Sequence, residues 1–141
     1  VIADEPTSAL DLTIQAQVLK LLKGLRDRFN LSVLLITHDL SLVSNIADRV
    51  YVMYSGQIVE EDRIDGLYRD PKHPYTVMLL EAVKKLQGSD TSYSAQTESR
   101  RAHVESRCRF LSRCPRAGSV CGEKAPQYIQ FPSGKKILCC E

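Results

Sequence analysis

The stretch Ile2-Ala3-Asp4-Glu5-Pro6-Thr7-Ser8-Ala9-Leu10-Asp11 decides how the rest of the chain is read. A short apolar run ends in two acids, and a proline and a turn-forming segment follow. Val1 to Ala3 has the character of the end of a buried strand. In α/β sheets, ligands gather at the carboxyl ends of strands, where Asp4 and Glu5 stand. A carboxylate pair there suits a phosphate site. Asp4 can hold Mg²⁺ beside the β- and γ-phosphates, directly or through water, and Glu5 can polarise the water that attacks the γ-phosphate. For the dipeptide alone, a plain strand exit with helix-capping acids is the favoured reading. The full string displaces that reading.

Outward from this point, Ile14, Val18, Leu21, Leu22, Leu25 and Phe29 recur at helical spacing. They predict an amphipathic helix from Leu12 to Phe29, with Asp11 as its N-cap. Ser32 to Thr37 is short, apolar and rich in branched aliphatics, which predicts a buried parallel strand. A helix from about Leu40 to Ala47 follows. Val50 to Tyr54 and Gln57 to Glu61 read as two strands joined at Ser55-Gly56, a hairpin turn. A short helix is expected near Ile64 to Tyr68. Pro71 and Pro74 interrupt the chain, and Tyr75 to Leu86 continues as a helix. Strand, helix, strand, helix and hairpin make half of an α/β domain over residues 1–86. Residues 87–106 are polar and read as a linker. Residues 107–141 hold all five cysteines. That tail is too short to bury a core alone, so it needs a metal or a docking surface.

Composition narrows the classes. The 141 residues carry 19 basic and 17 acidic side chains, a formal charge of +2, and 43% are hydrophobic. No clustered basic face marks a nucleic-acid partner. A membrane helix needs about 20 apolar residues in a row, whereas Val77-Met78-Leu79-Leu80 meets Glu81 almost at once. The chain opens Val-Ile-Ala-Asp, without Met or a basic leader, so a start inside a longer protein is expected. Cysteines clustered in a cytosolic chain read as metal ligands before disulfides.

Asp4-Glu5 with its apolar approach resembles the Walker B segment of ABC ATPases. Ser8-Ala9-Leu10-Asp11 resembles the D-loop that follows it, and Thr37-His38-Asp39, after the next strand, resembles the switch-histidine segment. The order of these pieces is that of the family. The resemblance implies Asp4 as the Mg-ATP acid, Glu5 as catalytic base, Asp11 in the loop that meets a partner subunit, and His38 on the γ-phosphate. By itself, His38 would read as a structural histidine.

A second string narrows the lineage. Gly56-Gln57-Ile58-Val59-Glu60 is followed by Leu67-Tyr68, Asp70-Pro71 and His73-Pro74-Tyr75-Thr76, with Leu79-Leu80 beyond. It resembles the C-terminal end of the ATP-binding subunits of dipeptide and oligopeptide ABC importers. That implies a head-to-tail pair of such subunits, transmembrane permease partners, and a peripheral place on the cytoplasmic face of the membrane. The tail, with Cys108, Cys114, Cys121 and Cys139, resembles the extension in which some members carry a four-iron four-sulfur cluster. Four thiolates suit that cluster or tetrahedral zinc, and Cys140 stays open as an alternative to Cys139.

Gly-x4-Gly-Lys-Ser/Thr, the phosphate cradle, does not occur in the 141 residues, nor does Leu-Ser-Gly-Gly-Gln. Without the cradle most of the triphosphate's binding energy is missing. The chain alone is therefore expected neither to bind ATP tightly nor to turn it over. Its isolated strands are expected to expose edges and to favour self-association. Two other classes remain. One is a metal-stabilised scaffold or redox sensor with a vestigial acidic motif. The other is a soluble ABC ATPase of the DNA-repair kind, which would not be expected to carry His73-Pro74-Tyr75-Thr76 or the cysteines.

Overall fold

A computed structural model describes residues 1–86 and 108–140. The polar stretch 87–106 lies outside the described residues. The fold is mixed α/β, with one parallel and one antiparallel sheet, and it divides into two compact units, Val1–Ala47 and Asp48–Glu141.

In the first unit, β1 (Ile2–Asp4) pairs in parallel with β2 (Leu34–Ile36), bringing Asp4 opposite Ile36. Between them runs α1 (Leu12–Phe29), the helix predicted from periodicity. Asp11 caps it, its carboxylate accepting the Thr13 and Ile14 amides at 3.0 Å each. Asn30 ends it in the left-handed region at φ 48°, its N–H returning to the Arg26 carbonyl. Arg26 and Arg28 lie in the last turn, where the helix dipole favours cations. The short α2 (Leu40–Val43) is capped by Asp39 and stops well before the predicted Ala47.

The predicted burial of this unit is not met. Ile2 is 72% exposed, Leu34 51% and Leu21 63%. Two strands satisfy one another's hydrogen bonds along one edge only. No further layer within the unit covers the apolar faces of the sheet and of α1.

The second unit is built on the antiparallel pair β3 (Arg49–Tyr54) and β4 (Gln57–Arg63). Ser55 and Gly56 turn between them with φ of 47° and 77°. Two consecutive positive φ values match the twist of a tight hairpin. A bulge shifts the register between Val52 and Met53. As a result, Val59 and Glu60, neighbours in sequence, are both buried. Then come α3 (Ile64–Arg69) and α4 (Pro74–Leu86). Gly66 has no room for a side chain, since a Cβ there would lie 2.4 Å from Asp62 Oδ2. The cysteine-bearing tail joins this unit. A 3-10 turn at Leu111–Arg113 and the short α5 (Val120–Glu123) lead into β5 (Gln127–Gln130) and β6 (Lys136–Cys139). β6 pairs with β4, so the sheet runs β3-β4-β6-β5. Thus the tail obtains a docking surface by extending the hairpin's sheet.

Inside the second unit Val50, Val52, Val59, Leu67, Leu80 and Ile137 form the apolar core. Phe110, from the tail, is 2% exposed. Its ring lies 5.1 Å from that of Tyr54, 5.7 Å from Tyr75 and 5.6 Å from His73. The edge-to-face geometry with both tyrosines adds to the simple burial of area.

Charge is buried here as well. Glu60 is fully buried, and its two carboxylate oxygens accept the backbone N–H groups of Lys72 and His73 at 2.9 Å each. Lys135, 4% exposed, reaches in from the tail. Its Nζ lies 3.2 Å from Asp62 Oδ2 and 3.7 Å from Glu60 Oε1, and it donates to the Asp70 carbonyl. Removing one partner of a buried ion pair costs about 3–5 kcal/mol, because the remaining charge is stranded. Lys135→Met is therefore expected to lower the melting temperature of this unit by at least about 10 °C. A calorimetric scan showing a change of a degree or two would refute that role.

Candidate functional site

Glu5 follows the last residue of β1, and its N–H donates to the Ile36 carbonyl at 2.9 Å, extending the parallel ladder by one bond. It does so with φ at 44°. A non-glycine residue in the left-handed region is strained and persists only where its surroundings impose it. What holds Glu5 here comes from β2. Its Oε1 accepts the backbone N–H of His38 at 3.1 Å and meets the ring Nδ1 of His38 at 2.8 Å. The parallel register of β1 and β2 thus joins two residues 33 positions apart. Pairing Asp4 with Ile36 sets Glu5 and His38 beyond the same strand ends.

The His38 side chain is 81% exposed and the Glu5 side chain 36%. The hydrogen bond that the His38 ring donates to the Glu5 carboxylate, and then the charge of Glu5, raise the His38 pKa above the ordinary 6.5. The charged contact is therefore complete at acid pH and is lost as pH rises through the raised midpoint. Asp4 is exposed at the end of β1. Asp11 sits at the far end of the same loop, its carboxylate engaged in the cap of α1. The four acidic and histidine residues singled out in the sequence all lie in the first unit. Of these, Glu5 and His38 are in direct contact.

The loop between Glu5 and Asp11 is closed by its own bonds. The Ser8 N–H and hydroxyl both donate to the Glu5 carbonyl, at 3.1 and 2.9 Å. The Leu10 N–H donates to the Thr7 carbonyl at 3.3 Å. Ala9 is left-handed at φ 64°. Gln15, which sequence reading passed over, contributes its amide to this loop. Its place in the first turns of a helix gave no signal, since the contact depends on where the loop folds back.

The cysteines gather elsewhere, in the second unit. Cys108, Cys114, Cys121, Cys139 and Cys140 all line one cavity of about 210 Å³, together with His73 and Phe110. All five are outside any disulfide. Burial raises the thiol pKa of Cys114, and burial with the neighbouring Cys121 pushes that of Cys140 up to about 12. Cys140 Sγ also points to the Lys124 carbonyl at 3.6 Å. Among the described residues no three His, Cys, Asp or Glu side chains converge as a metal-binding group. The predicted ligands therefore share a cavity and have suitable chemistry, but they are not drawn together around a centre. His73 is buried, and burial followed by the Arg116 charge lowers its pKa to about 4. Its neutral Nδ1 accepts the Tyr75 N–H at 3.2 Å. The stability this provides is present above the ordinary pKa and is lost as pH falls towards 4.

Residues 59–121 match the family described as "Oligopeptide/dipeptide transporter, C-terminal region". Among curated proteins it is 47% identical over 140 residues to the oligopeptide transport ATP-binding protein AppD of Bacillus subtilis (strain 168), covering 98% of this chain and 43% of that protein. It is 42% identical over 144 residues to the dipeptide transport ATP-binding protein DppD of Haemophilus influenzae, with 98% and 42% covered. The oligopeptide transport ATP-binding protein OppD of Bacillus subtilis is 56% identical over 88 residues, which is 62% of this chain and 25% of that protein. The chain thus spans 43% and 42% of the first two relatives' length. No helix among the described residues is long and apolar enough to cross a membrane.

The Glu5–His38 contact makes a direct prediction. Followed by NMR, the ring protons of His38 should titrate with a midpoint above 6.5, and Glu5→Gln should bring that midpoint back down. An unchanged midpoint in the variant would show that the contact is not made in solution.

Proposed function

We propose that this chain supplies the Walker B, D-loop and switch-histidine portion of an ATPase that drives peptide uptake through an ABC importer. The observation that carries the reading is the union of Glu5 and His38 beyond the paired ends of β1 and β2, with Glu5 held in a strained backbone. Similarity to peptide-transport ATP-binding proteins across 98% of the chain supports the same lineage.

In this reading Asp4 holds Mg²⁺, which, when bound, offsets charge on the phosphate oxygens. Glu5 orients the attacking water and takes its proton on the carboxylate. The Glu5 contact holds His38 at the mouth of the site, where its Nε2 meets the γ-phosphate. Asp11 fixes the start of α1 and with it the loop offered to a second ATP-binding subunit in a head-to-tail pair. Transmembrane permease subunits complete the assembly on the cytoplasmic face of the membrane. In this reading residues 1–86 are the ATPase portion, followed by the polar linker 87–106 and the cysteine-bearing extension 107–141. In the gene product assembled with its membrane subunits, Glu5→Gln should lower ATP turnover at least about 100-fold while nucleotide binding persists. Turnover at the wild-type rate would reject the assignment.

The extension is proposed to hold a four-iron four-sulfur cluster through Cys108, Cys114, Cys121 and Cys139. Support comes from the cavity these thiols share and from the engagement of Cys140 Sγ with the Lys124 carbonyl. To hold such a cluster the four thiols would lose their protons, so metal binding and local folding would be coupled. Anaerobically purified protein should show a broad visible absorbance and four irons per chain. A colourless protein with one zinc per chain would replace the cluster with zinc.

A further inference from the structure

We propose that Gln15 is a positioning residue for the ATPase site, one that locks the loop between Glu5 and Asp11 onto the start of α1. The proposal rests on the ATPase reading given above and assigns a role to a residue outside its motifs.

Gln15 stands one turn into α1, its N–H making the first helical bond, to the Asp11 carbonyl at 2.9 Å. Its side chain turns back over the loop. Nε2 donates to the Thr7 carbonyl at 3.2 Å and to the Leu10 carbonyl at 3.1 Å. These are the two ends of the inner turn of the loop, which is itself closed by the Leu10 N–H to Thr7 carbonyl bond. One amide group therefore grips both ends of the turn at once.

The orientation of the amide is dictated by chemistry. Two carbonyl oxygens can only be met by donors, so the NH₂ must face the loop and the oxygen must face away. The consequence is visible, for Gln15 Oε1 is buried and has no hydrogen-bond partner among the described residues. Leaving such an acceptor unmet costs free energy. A side chain present only to fill space would be served better by an apolar group.

The loop needs an external grip because it is internally strained. Glu5 and Ala9 both lie in the left-handed region. Ser8, Ala9 and Leu10 are exposed, whereas Thr7 is 4% exposed and anchors the inner side. At one end the loop is fixed to the sheet by the Glu5 N–H to Ile36 carbonyl bond. At the other, Gln15 fixes it to the helix. Freed from Gln15, the turn loses both hydrogen bonds that tie its two carbonyls to the α1 side chain. In the ATPase reading this is the segment that meets the second subunit, and it leads directly from the catalytic Glu5. Its direction therefore sets how the two halves of a nucleotide sandwich register.

Two measurements test this. In the chain itself, Gln15→Met keeps the shape of the side chain and removes both donors. NMR-detected amide exchange at Ser8 and Leu10 should accelerate about tenfold, with amides in the middle of α1 unchanged. Gln15→Glu, equally compatible with a helix and equally without donors, should behave the same way and guards against a defect peculiar to Met. Exchange at the wild-type rate in both variants overturns the proposal. In the assembled importer, with turnover normalised to the sites that still bind nucleotide so that unfolded protein is not counted, the Met variant should lose about tenfold in kcat at an unchanged KM for MgATP. An unchanged kcat in an importer whose wild type is active overturns the role of Gln15 while leaving the ATPase reading in place. An assembled wild type with no turnover rejects the ATPase reading, and the role of Gln15 in it falls with it.

Discussion

At the centre of the second unit a fully buried carboxylate, that of Glu60, accepts the first amides of a turn whose prolines cannot donate any. Pro71 and Pro74 shape the segment between α3 and α4, but they leave the Lys72 and His73 amides without partners in a helix or strand. Glu60 supplies both. A charge so placed must be balanced, and Lys135 from the tail does so while also bridging Asp62 and the Asp70 carbonyl. Hairpin, turn and tail are thereby made to depend on one another. Pairing of β6 with β4 adds Ile137 to the same interior. The remaining tail contacts follow the same pattern. Arg109 donates to the Ser55 carbonyl at the hairpin turn and Arg116 to the Lys72 carbonyl.

The first unit rests on a different constraint. Its candidate site lies where the parallel pair β1–β2 ends, and parallel pairing necessarily sets those ends side by side. Glu5 and His38 meet for that reason. The strain at Glu5 is carried by three bonds, its N–H to Ile36, its carboxylate to the His38 N–H, and the same carboxylate to the imidazole. Such overdetermined strain is a mark of sites where a side chain must be aimed. The apolar residues left exposed on β1, β2 and α1 are those the sequence had marked for burial. Their pattern is that of elements made to be covered on both faces.

The helix α1, the hairpin with its Ser55-Gly56 turn, and the helices α3 and α4 were legible because each is specified locally. Periodicity, a capping Asp11 and two turn residues suffice for them. The acid pair and His38 were legible as a family pattern of ordered motifs. The place of the cysteine tail was open between a metal and a docking surface, because strand pairing across more than 70 residues leaves no local trace. Gln15 and Glu60 went unread for related reasons. The contacts of Gln15 are made by side chain to main chain across a loop, and the inward turn of Glu60 depends on a bulge that breaks the alternation along β4.

By itself, then, the sequence determined the chemical parts: Asp4, Glu5, Asp11 and His38 at their spacing, the proline-bounded turn, and five thiols in one short tail. Hydrophobic period, capping and turn chemistry act over a few residues, and those are written in order along the chain. Only the tertiary structure decided which parts meet. It placed Glu5 against His38, turned Glu60 inward beneath the Lys72–His73 amides, brought Lys135 to it, and gathered the cysteines around one cavity. Those outcomes depend on strand register, a bulge and the balance of buried charge, which arise only when distant segments pack together.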